Sequence, residues 1–379
     1  MPDTFTASPN TASTPVEARP LSLTFSGTGA EYFRIWIINL LLTIITFGIY
    51  SAWAKVRRLQ YFDRNTVLDG AAFDFHGNPV AILKGRIVAV VLLGAYQMAF
   101  GFSVTAGLLV FGTLMMVLPY LLRGALRFRL QNTSWRGLRF AFTGTTQDAY
   151  IVFVPPMVLF MAPGLLGGIM AHRGPGTPSP WIGLFGLLYQ AWPMLHAAVK
   201  RYQHAHVRFG NADSRYTLTL GRFWPPYLMA FGIIIAVGAT LAVVVASMVK
   251  LAPNNSTGML ITFVPLALAY LGFLSIFPFL QGRIGNLVWS HTGFPGLTIR
   301  SDMTFGGLFK LHAVNTILTL LTVGLFRPFA VVRVQRYVLA HMHVSASVDI
   351  DALVDAGKGA DVNAAGDGAA DFLGIDFAL

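Results

Sequence analysis

The feature that most constrains this fold is a series of long apolar runs that carry few or no charges. At about 1.5 Å per helical residue, roughly 20 such residues cross the hydrocarbon layer of a membrane. Only helices and closed barrels satisfy their backbone groups in lipid, and these runs lack the alternation of barrel strands. We therefore predict an all-α polytopic membrane protein, which agrees with 55% hydrophobic and 11% charged residues. The predicted spans are 82–101, 104–122, 149–171, 181–199, 224–249 and 258–281, with shorter runs at 32–47 and 308–323.

The two ends of the chain differ in composition from the body between them. Residues 1–20 are rich in Ser, Thr and Pro and lack the apolar core of a signal peptide, so we expect a disordered leader. Residues 346–379 hold seven Asp against one Lys, with many Ala and Gly, which predicts a disordered acidic tail. The net charge of +11 includes −6 from this tail, so the rest of the chain carries +17. Residues 21–345 are predicted to form the membrane domain.

The cations of this domain are concentrated in alternate links between apolar runs. The intervening links 172–180 and 250–257 hold one cation each. The positive-inside rule assigns the cation-rich links to the cytoplasm. We therefore expect helical hairpins with outward tips and both termini in the cytoplasm. The richest links carry Arg57, Arg58, Arg123, Arg127, Arg129, Lys200, Arg201 and Arg283.

Internal similarity indicates a modular chain. Residues 33–61 match 309–337 at a constant offset of 276, with ten identities in 29 positions. A second, shorter similarity relates residues 65–77 to residues 132–144. Each module reads as an apolar hairpin, a basic exit helix, a turn and a short alternating strand, and the strands should meet in one small cytoplasmic sheet because single strands are unstable. The predicted strands are LTFSG (23–27), FDFHG (73–77), FAFTG (140–144), YTLTLG (216–221) and LTIRS (297–301).

The stretch GIYSAWAKVRRLQYF, residues 48–62, combines aromatic residues with cations directly after an apolar run. The helix before it is about 25 Å long, which is barely one crossing. Two topologies therefore remain open: a single crossing with a basic flank, or a re-entrant hairpin with its apex at Gly48. The flanking strands and the cations at both ends favour the hairpin, and the same applies to 308–343.

Residues 25–86, which contain GIYSAWAKVRRLQYF and FDFHG, resemble the YjgN-like family of bacterial inner-membrane proteins. The resemblance extends over residues 20–345. It implies a protein of the bacterial inner membrane. The family is a domain of unknown function, so the resemblance implies no reaction, substrate or catalytic residue.

Sequence motifs argue against catalysis. No Asp or Glu lies inside an apolar run, which disfavours both a cation-coupled pump and an intramembrane acid–base enzyme. No phosphate-binding loop, dinucleotide fingerprint or nucleophile elbow is present, so no cofactor is expected. The pairs His204/His206 and His341/His343 are spaced i, i+2, which points them apart on a helix, so no metal is expected either.

The basic, aromatic stripes beside the membrane are the candidate binding site. One interpretation treats the cations as helix ends that contact anionic lipid and the buried Asn residues as interhelical contacts. The sharper one is a transporter, channel or lipid-handling protein with a cavity for an anionic headgroup or solute. The alternative is a membrane scaffold whose strand region, with Phe73 and Phe75, recruits a partner. Anionic lipids are the expected partners, nucleic acid is not expected, and a homo-oligomer is left open. The candidate ligand-binding residues are Arg57, Arg58, Arg333, Tyr61, Tyr337, Asn39 and Asn315.

Overall fold

The computed structural model describes residues 18–171, 189–251 and 258–361. Residues 1–17 of the predicted leader, 362–379 of the tail and 181–188 of one predicted span lie outside these residues. The helices are α1 Gly29–Ile45, α2 Ser51–Arg64, α3 Pro79–Phe102, α4 Val104–Gln131, α5 Thr146–Ala171, α6 Trp192–Ala205, α7 Trp224–Leu251, α8 Gly258–Ser290, α9 Phe305–Leu321, α10 Arg327–Ala340 and α11 Ile350–Asp361. The strands are β1 Arg19–Leu21, β2 Leu23–Phe25, β3 Thr66–Leu68, β4 Ala71–Phe75, β5 Thr133–Trp135, β6 Leu138–Phe142, β7 Val207–Phe209, β8 Ala212–Asp213, β9 Arg215–Tyr216, β10 Thr292–Phe294, β11 Leu297–Ser301 and β12 Met342–Ala346.

Five strand–helix–helix–strand units follow one another along the described chain. They are β2–α1–α2–β3, β4–α3–α4–β5, β6–α5–α6–β7, β9–α7–α8–β10 and β11–α9–α10–β12. In each unit the first strand pairs antiparallel with the last. Each unit also closes with the same backbone hydrogen bond, 2.8–3.1 Å long, from the residue after its first strand to the end of its second helix. These bonds join Ser26 to Asn65, His76 to Asn132, Thr143 to His206, Thr217 to His291 and Asp302 to His341.

A side chain caps the second helix of every unit. It donates to the backbone carbonyl four residues earlier, over 2.8–3.0 Å, and so adds a hydrogen bond to a carbonyl in the last turn of the helix. The capping residues are Asn65, Asn132, His206, His291 and His341. His206 and His341, one from each histidine pair in the sequence, therefore cap helix ends.

The strands pair into two antiparallel sheets that together close a ring. One sheet has the order β1-β12-β11-β10-β9 and the other β2-β3-β4-β5-β6-β7-β8. Residues 19–25 supply β1 to the first sheet and β2 to the second, and residues 212–216 supply β9 and β8 in the same way. The expectation of one small sheet is corrected, since short returning strands lie between the predicted ones. The predicted strand 216–221 ends at Tyr216, and a 3₁₀ turn occupies Leu220–Phe223 before α7.

Apolar side chains fill the interior of the ring. Trp135, Leu138 and Phe209 are almost completely buried there. Ile350 and Val354 of α11 pack against them and complete the same core. Burial of aromatic and aliphatic side chains is the main stabilising term in such a core, so the ring and α11 form one packed body.

Helix α11 contacts the turns that join neighbouring units. Asp351 forms an ion pair with Arg136 in the turn between β5 and β6. A Cβ added to Gly210 would lie 2.8 Å from the Cα of Gly357, so the approach of α11 to the turn after β7 requires glycine. The predicted disorder of 346–379 is therefore wrong over α11, because the apolar face of this helix is part of the core.

The five hairpins differ in length. Three helices of the described residues are long and apolar enough to cross a membrane. They are α3 (Pro79–Phe102), α4 (Val104–Gln131) and the segment Leu220–Ser247, which joins the 3₁₀ turn to most of α7. By contrast α1 and α9 have 17 residues each, and α2 and α10 have 14. The two short hairpins are neighbours, since α1 packs against α10 where the chain closes on itself. Crossing by the other predicted spans stays a prediction.

The first hairpin begins and ends at the ring. The hydroxyl of Tyr61, near the end of α2, donates to the carbonyl of Thr28, before α1, over 2.7 Å. Strand β2 pairs with β3, with Phe25 opposite Thr66. The chain therefore leaves the ring and returns to it, so α1 and α2 form a hairpin, and its re-entry into the membrane stays a prediction.

Candidate functional site

An open groove of about 430 Å³ lies on the first hairpin, between α1 and α2. On α2, Arg57, Tyr61 and Arg64 stand at i, i+4 and i+7, which places their side chains on one helix face. The complete lining is Arg34, Ile35, Ile38, Arg57, Gln60, Tyr61, Arg64 and Asn65. The groove therefore joins three guanidinium groups and polar amides to two aliphatic side chains.

The base of the groove is held by the start of α1. Thr28 and Glu31 form a capping box, in which each side chain binds the other residue's backbone amide. Tyr61 donates to the Thr28 carbonyl and stacks on Tyr32, with ring centroids 5.2 Å apart. These contacts fix the α1–α2 crossing and hence the distance between the two lining faces.

Two ion pairs anchor α2 to its neighbours. Arg64 donates through Nε to Asp74 of β4 over 2.7 Å. Burial raises the pKa of Asp74, but hydrogen bonds from Arg64 and from the Phe75 amide outweigh it and hold this pKa below its usual value. Asp63 accepts two bonds from Arg129 of α4, at 2.8 and 2.9 Å. The groove wall is therefore tied to the ring and to α4, a helix long and apolar enough to cross a membrane.

Arg57 differs from these paired arginines. Its side chain is exposed, and its Cζ lies 5.7 Å from the centre of the Tyr50 ring. In the part of the chain that the structure describes, no ion pair or hydrogen bond engages its guanidinium group. An exposed guanidinium offers a planar, bidentate donor pair that suits a phosphate or carboxylate. Arg57 is thus a lining cation with capacity for a ligand, and Arg34, also exposed, is a second.

The other candidates on the first hairpin lie outside the groove. Arg58 points away from it, with its Cζ 5.9 Å from the Phe62 ring. Asn39 is 6% exposed, and its Oδ1 has no hydrogen-bond partner among the described residues. Neither residue is part of the lining. Of the first-hairpin candidates, the structure brings only Arg57 and Tyr61 together.

The candidates on the last hairpin repeat the positions of the first without joining its groove. Arg333 is exposed beside Phe326, with its Cζ 6.0 Å from the ring centre. Asn315 donates from Nδ2 to the Ala330 carbonyl over 3.4 Å, which is an interhelical contact. Tyr337 contacts the start of α9. The lining of the groove thus comes from one hairpin, whereas the sequence predicted one cavity shared by both.

The sequence reasoning missed several lining residues, notably Arg34, Gln60 and Arg64. The i, i+4, i+7 spacing of Arg57, Tyr61 and Arg64 was the available signal for the α2 face. Arg34 and the aliphatic wall join the site only through the packing of α1 on α2, which sequence spacing does not specify. Within the described residues, no group of three or more His, Asp or Glu side chains could hold a metal ion.

Comparison with known proteins places the chain in a family. Residues 20–372 match the family described as bacterial protein of unknown function, DUF898. The inner membrane protein YjgN of Salmonella typhimurium is 29% identical over 143 residues, which are 37% of this chain and 36% of the relative. The protein of the same name from Escherichia coli K12 is 28% identical over 165 residues, 42% of this chain and 40% of the relative.

These alignments span well under half the length of the curated relatives. No solved structure matches the chain. The family match covers most of the sequence, and the apolar helices α3 and α4 are long enough to cross a membrane, as expected for an inner-membrane location. The chain belongs to the DUF898 family of bacterial proteins of unknown function and is similar to the inner membrane protein YjgN.

Proposed function

We propose that this inner-membrane protein is a lipid-handling protein that binds an anionic phospholipid headgroup in the groove of its first hairpin. The observation that carries the proposal is the composition of the lining. Arg34 and Arg57 supply cations for a phosphate, while Ile35 and Ile38 supply an apolar wall. A free inorganic anion would have no use for that wall, whereas an amphiphile contacts both parts.

The position of the groove supports the same ligand. It lies on a hairpin whose residues 35–54 include no Asp, Glu, Lys or Arg. The lining cations therefore flank an uncharged segment, as cations do where they contact lipid phosphates, at about 1 kcal/mol for each cation near the surface. The proposal is for a binding protein and assigns no catalytic residue.

The scaffold alternative is not carried forward. It needs Phe73 and Phe75 on an accessible surface. Phe75 is fully buried and packs against Phe128, with ring centroids 6.2 Å apart. Phe73 packs into the core of the ring. Phe75 is thus buried against helices α2, α3 and α4, and Phe73 is partly buried against the ring core, so neither side chain is fully exposed to a partner.

The test compares two double variants that remove the same charge. Arg34→Gln with Arg57→Gln changes the groove, whereas Arg58→Gln with Arg333→Gln changes exposed arginines outside it. Binding of phosphatidylglycerol to the purified protein is measured by native mass spectrometry. The groove variant should bind about tenfold more weakly, because it loses two charge-assisted contacts. The control variant should stay within about twofold.

Ligand arms separate the possible anions. Phosphatidylcholine should be retained poorly by every variant, and glycerol phosphate should compete with phosphatidylglycerol only weakly because it lacks the apolar part. Equal losses in the two double variants would show that overall charge, not the groove, holds the lipid. Full competition by glycerol phosphate would replace the lipid by a soluble anion as ligand.

A further inference from the structure

The apex of each short hairpin satisfies its own backbone donors. In the first apex, the amides of Phe47, Gly48 and Ile49 donate to carbonyls of the preceding turn over 2.7–3.1 Å. The Tyr50 amide donates to the Thr46 hydroxyl over 2.9 Å. The last apex repeats each of these bonds, with the amides of residues 323–326 as donors and residues 319, 320 and 322 as acceptors. A non-helical turn is tolerated in hydrocarbon only when its polar groups are paired inside the protein, and the N–H groups of both apices meet this condition.

The side chains of the two apices are apolar and exposed. Phe47 is 97% exposed and Val323 93%. Both have left-handed backbone, with φ of 49° and 51°, where Gly or Asn is the usual residue. A large apolar side chain at both positions is unfavourable in water on two counts, conformational and hydrophobic. Residues 311–326, like those of the first apex, include no Asp, Glu, Lys or Arg.

Contacts with neighbouring helices limit how deep the apices reach. At α2's start, Ser51 accepts a hydrogen bond from Arg86, the eighth residue of α3. That position is about 10 Å along a helix whose 24 residues extend about 36 Å. In the last hairpin, Phe329 near the start of α10 packs on Phe33 near the start of α1, with ring centroids 5.6 Å apart. Each apex therefore lies beside the first third of its neighbouring hairpin.

We propose that the two short hairpins insert side by side into the leaflet nearest the ring and end there, with acyl chains of that leaflet around Phe47 and Val323. The cations Arg34 and Lys55 of the first hairpin, and Lys310 of the last, flank the inserted segments at the level of the lipid phosphates. The longer hairpins beside them contain helices that cross the membrane. The protein thus has one side with crossing helices and one side that disturbs a single leaflet. The inference does not require a ligand in the groove.

Single cysteines test this directly, because the chain has no native cysteine. Phe47→Cys and Val323→Cys are compared with Thr24→Cys, which is exposed on β2. A membrane-impermeant maleimide is added to cells from outside and to inverted membrane vesicles. Thr24→Cys should react from the ring side alone. The two apex variants should react at least tenfold more slowly than Thr24→Cys from either side.

Depth is then measured with a bimane label on the purified variants in vesicles that contain nitroxide-labelled phosphatidylcholine. Quenching of the apex labels should be stronger with the nitroxide at acyl carbon 5 than at carbon 12. Reaction of an apex cysteine from the side opposite the ring would show a full crossing and overturn the proposal. Reaction as fast as Thr24→Cys from the ring side would place the apex in water and also overturn it.

The same result is checked at Ile45→Cys and Leu321→Cys, whose native side chains are 70% and 75% exposed and do not have left-handed backbone. These variants remove the concern that a change at a left-handed residue alters the turn. Failure here would leave the groove intact, because lipid retention by the two arginine double variants is measured separately. If the labels at 45 and 321 gave a different depth from those at 47 and 323, the substitution at the apex would have moved only the apex residue. That result would overturn the proposal that each whole apex lies at one depth.

Discussion

The first and last hairpins have the same backbone and different side chains on their α1–α2 and α9–α10 faces. Gly48 donates to the Thr43 carbonyl and Gly324 to the Thr319 carbonyl, each over 2.7 Å. Asn39 and Asn315 are both buried, and each has an unpaired Oδ1 among the described residues. The elements that the two hairpins share are therefore those that build the turn and the helix crossing.

Part of the groove lining comes from residues that the hairpins do not share. At the offset of 276, Gln60 is replaced by Arg336 and Arg64 by Ala340. Arg336 donates to the Gly27 carbonyl over 2.9 Å and so binds the last hairpin to the start of the first. One copy of the hairpin thus carries a structural link where the other carries the wall of a groove. Arg57 and Tyr61 of the lining are identical in the two copies, so Gln60 and Arg64 are the lining positions on α2 that distinguish the copy with the groove.

The largest expected effect concerns the shared apex. Gly48 and Gly324 have φ of 91°, which a β-branched residue adopts only with strain. Gly48→Val and Gly324→Val should each lower the free energy of unfolding by about 2 kcal/mol. Unfolding is followed by tryptophan fluorescence during titration with SDS. Gly94→Ala in α3, where an added Cβ meets nothing within 4 Å, is the control and should be neutral or slightly stabilising. A large loss at only one apex would break the equivalence of the hairpins.

A smaller effect on stability is expected when the tyrosine hydroxyl at the base of the first or the last hairpin is removed. Tyr61 donates to the Thr28 carbonyl over 2.7 Å, whereas the Tyr337 hydroxyl lies 3.1 Å from the Thr304 hydroxyl and 3.4 Å from the Thr304 carbonyl. We expect Tyr61→Phe to lower the free energy of unfolding by about 1 kcal/mol and Tyr337→Phe by about half as much. Tyr120→Phe, at a half-exposed position on α4, is the matched control. A greater loss at Tyr337 would show that the last hairpin, not the first, has the tighter base.

Helix class and the hairpin apex could be predicted from the sequence, because both depend on local properties. An uncharged apolar run fixes a helix in a membrane, and the paired glycines at 48 and 324 stand out through the repeat. The closed ring could not be predicted. Its returning strands, such as β3 and β5, have only three residues each, too few to show alternation. Its closure pairs Arg19 with Ala346, across almost the whole described chain.

The part of the candidate site that depends on local sequence was also predicted. Arg57 and Tyr61 stand out as a cation and an aromatic residue on one helix face, and the structure keeps them together. Arg58 follows Arg57 in sequence but lies about 100° round the helix, so adjacency misplaced it. Arg34 enters through tertiary packing. Sequence patterns identified the helix that carries the site, and only the packing of α1 on α2 defined the site's second wall.

The smallest effect is a pH dependence that belongs to the first hairpin alone. Asp74 is ion-paired with Arg64. In the last hairpin the residue that corresponds to Arg64 is Ala340, which cannot form an ion pair. Hydrogen bonds from Arg64 and the Phe75 amide hold the pKa of Asp74 below its usual value despite its burial. A carboxyl group with a lowered pKa in the folded state adds stability above its unfolded pKa, about 3.9, and this stability is lost as the pH falls through the folded pKa.

Because the Arg64 and Asp74 side chains are 58% and 34% exposed, solvent screens the pair and the contribution should be only about 0.5 kcal/mol. SDS titrations at pH 6 and at pH 3 should therefore show a slightly smaller acid-induced loss for Asp74→Asn than for the native protein. Arg64→Ala, which makes the first hairpin like the last at this position, should reduce the acid-induced loss in the same direction. If both variants kept the native acid response, Asp74 would contribute nothing to the difference between the hairpins, and Arg64 would be left with its place in the groove wall as its only distinguishing role.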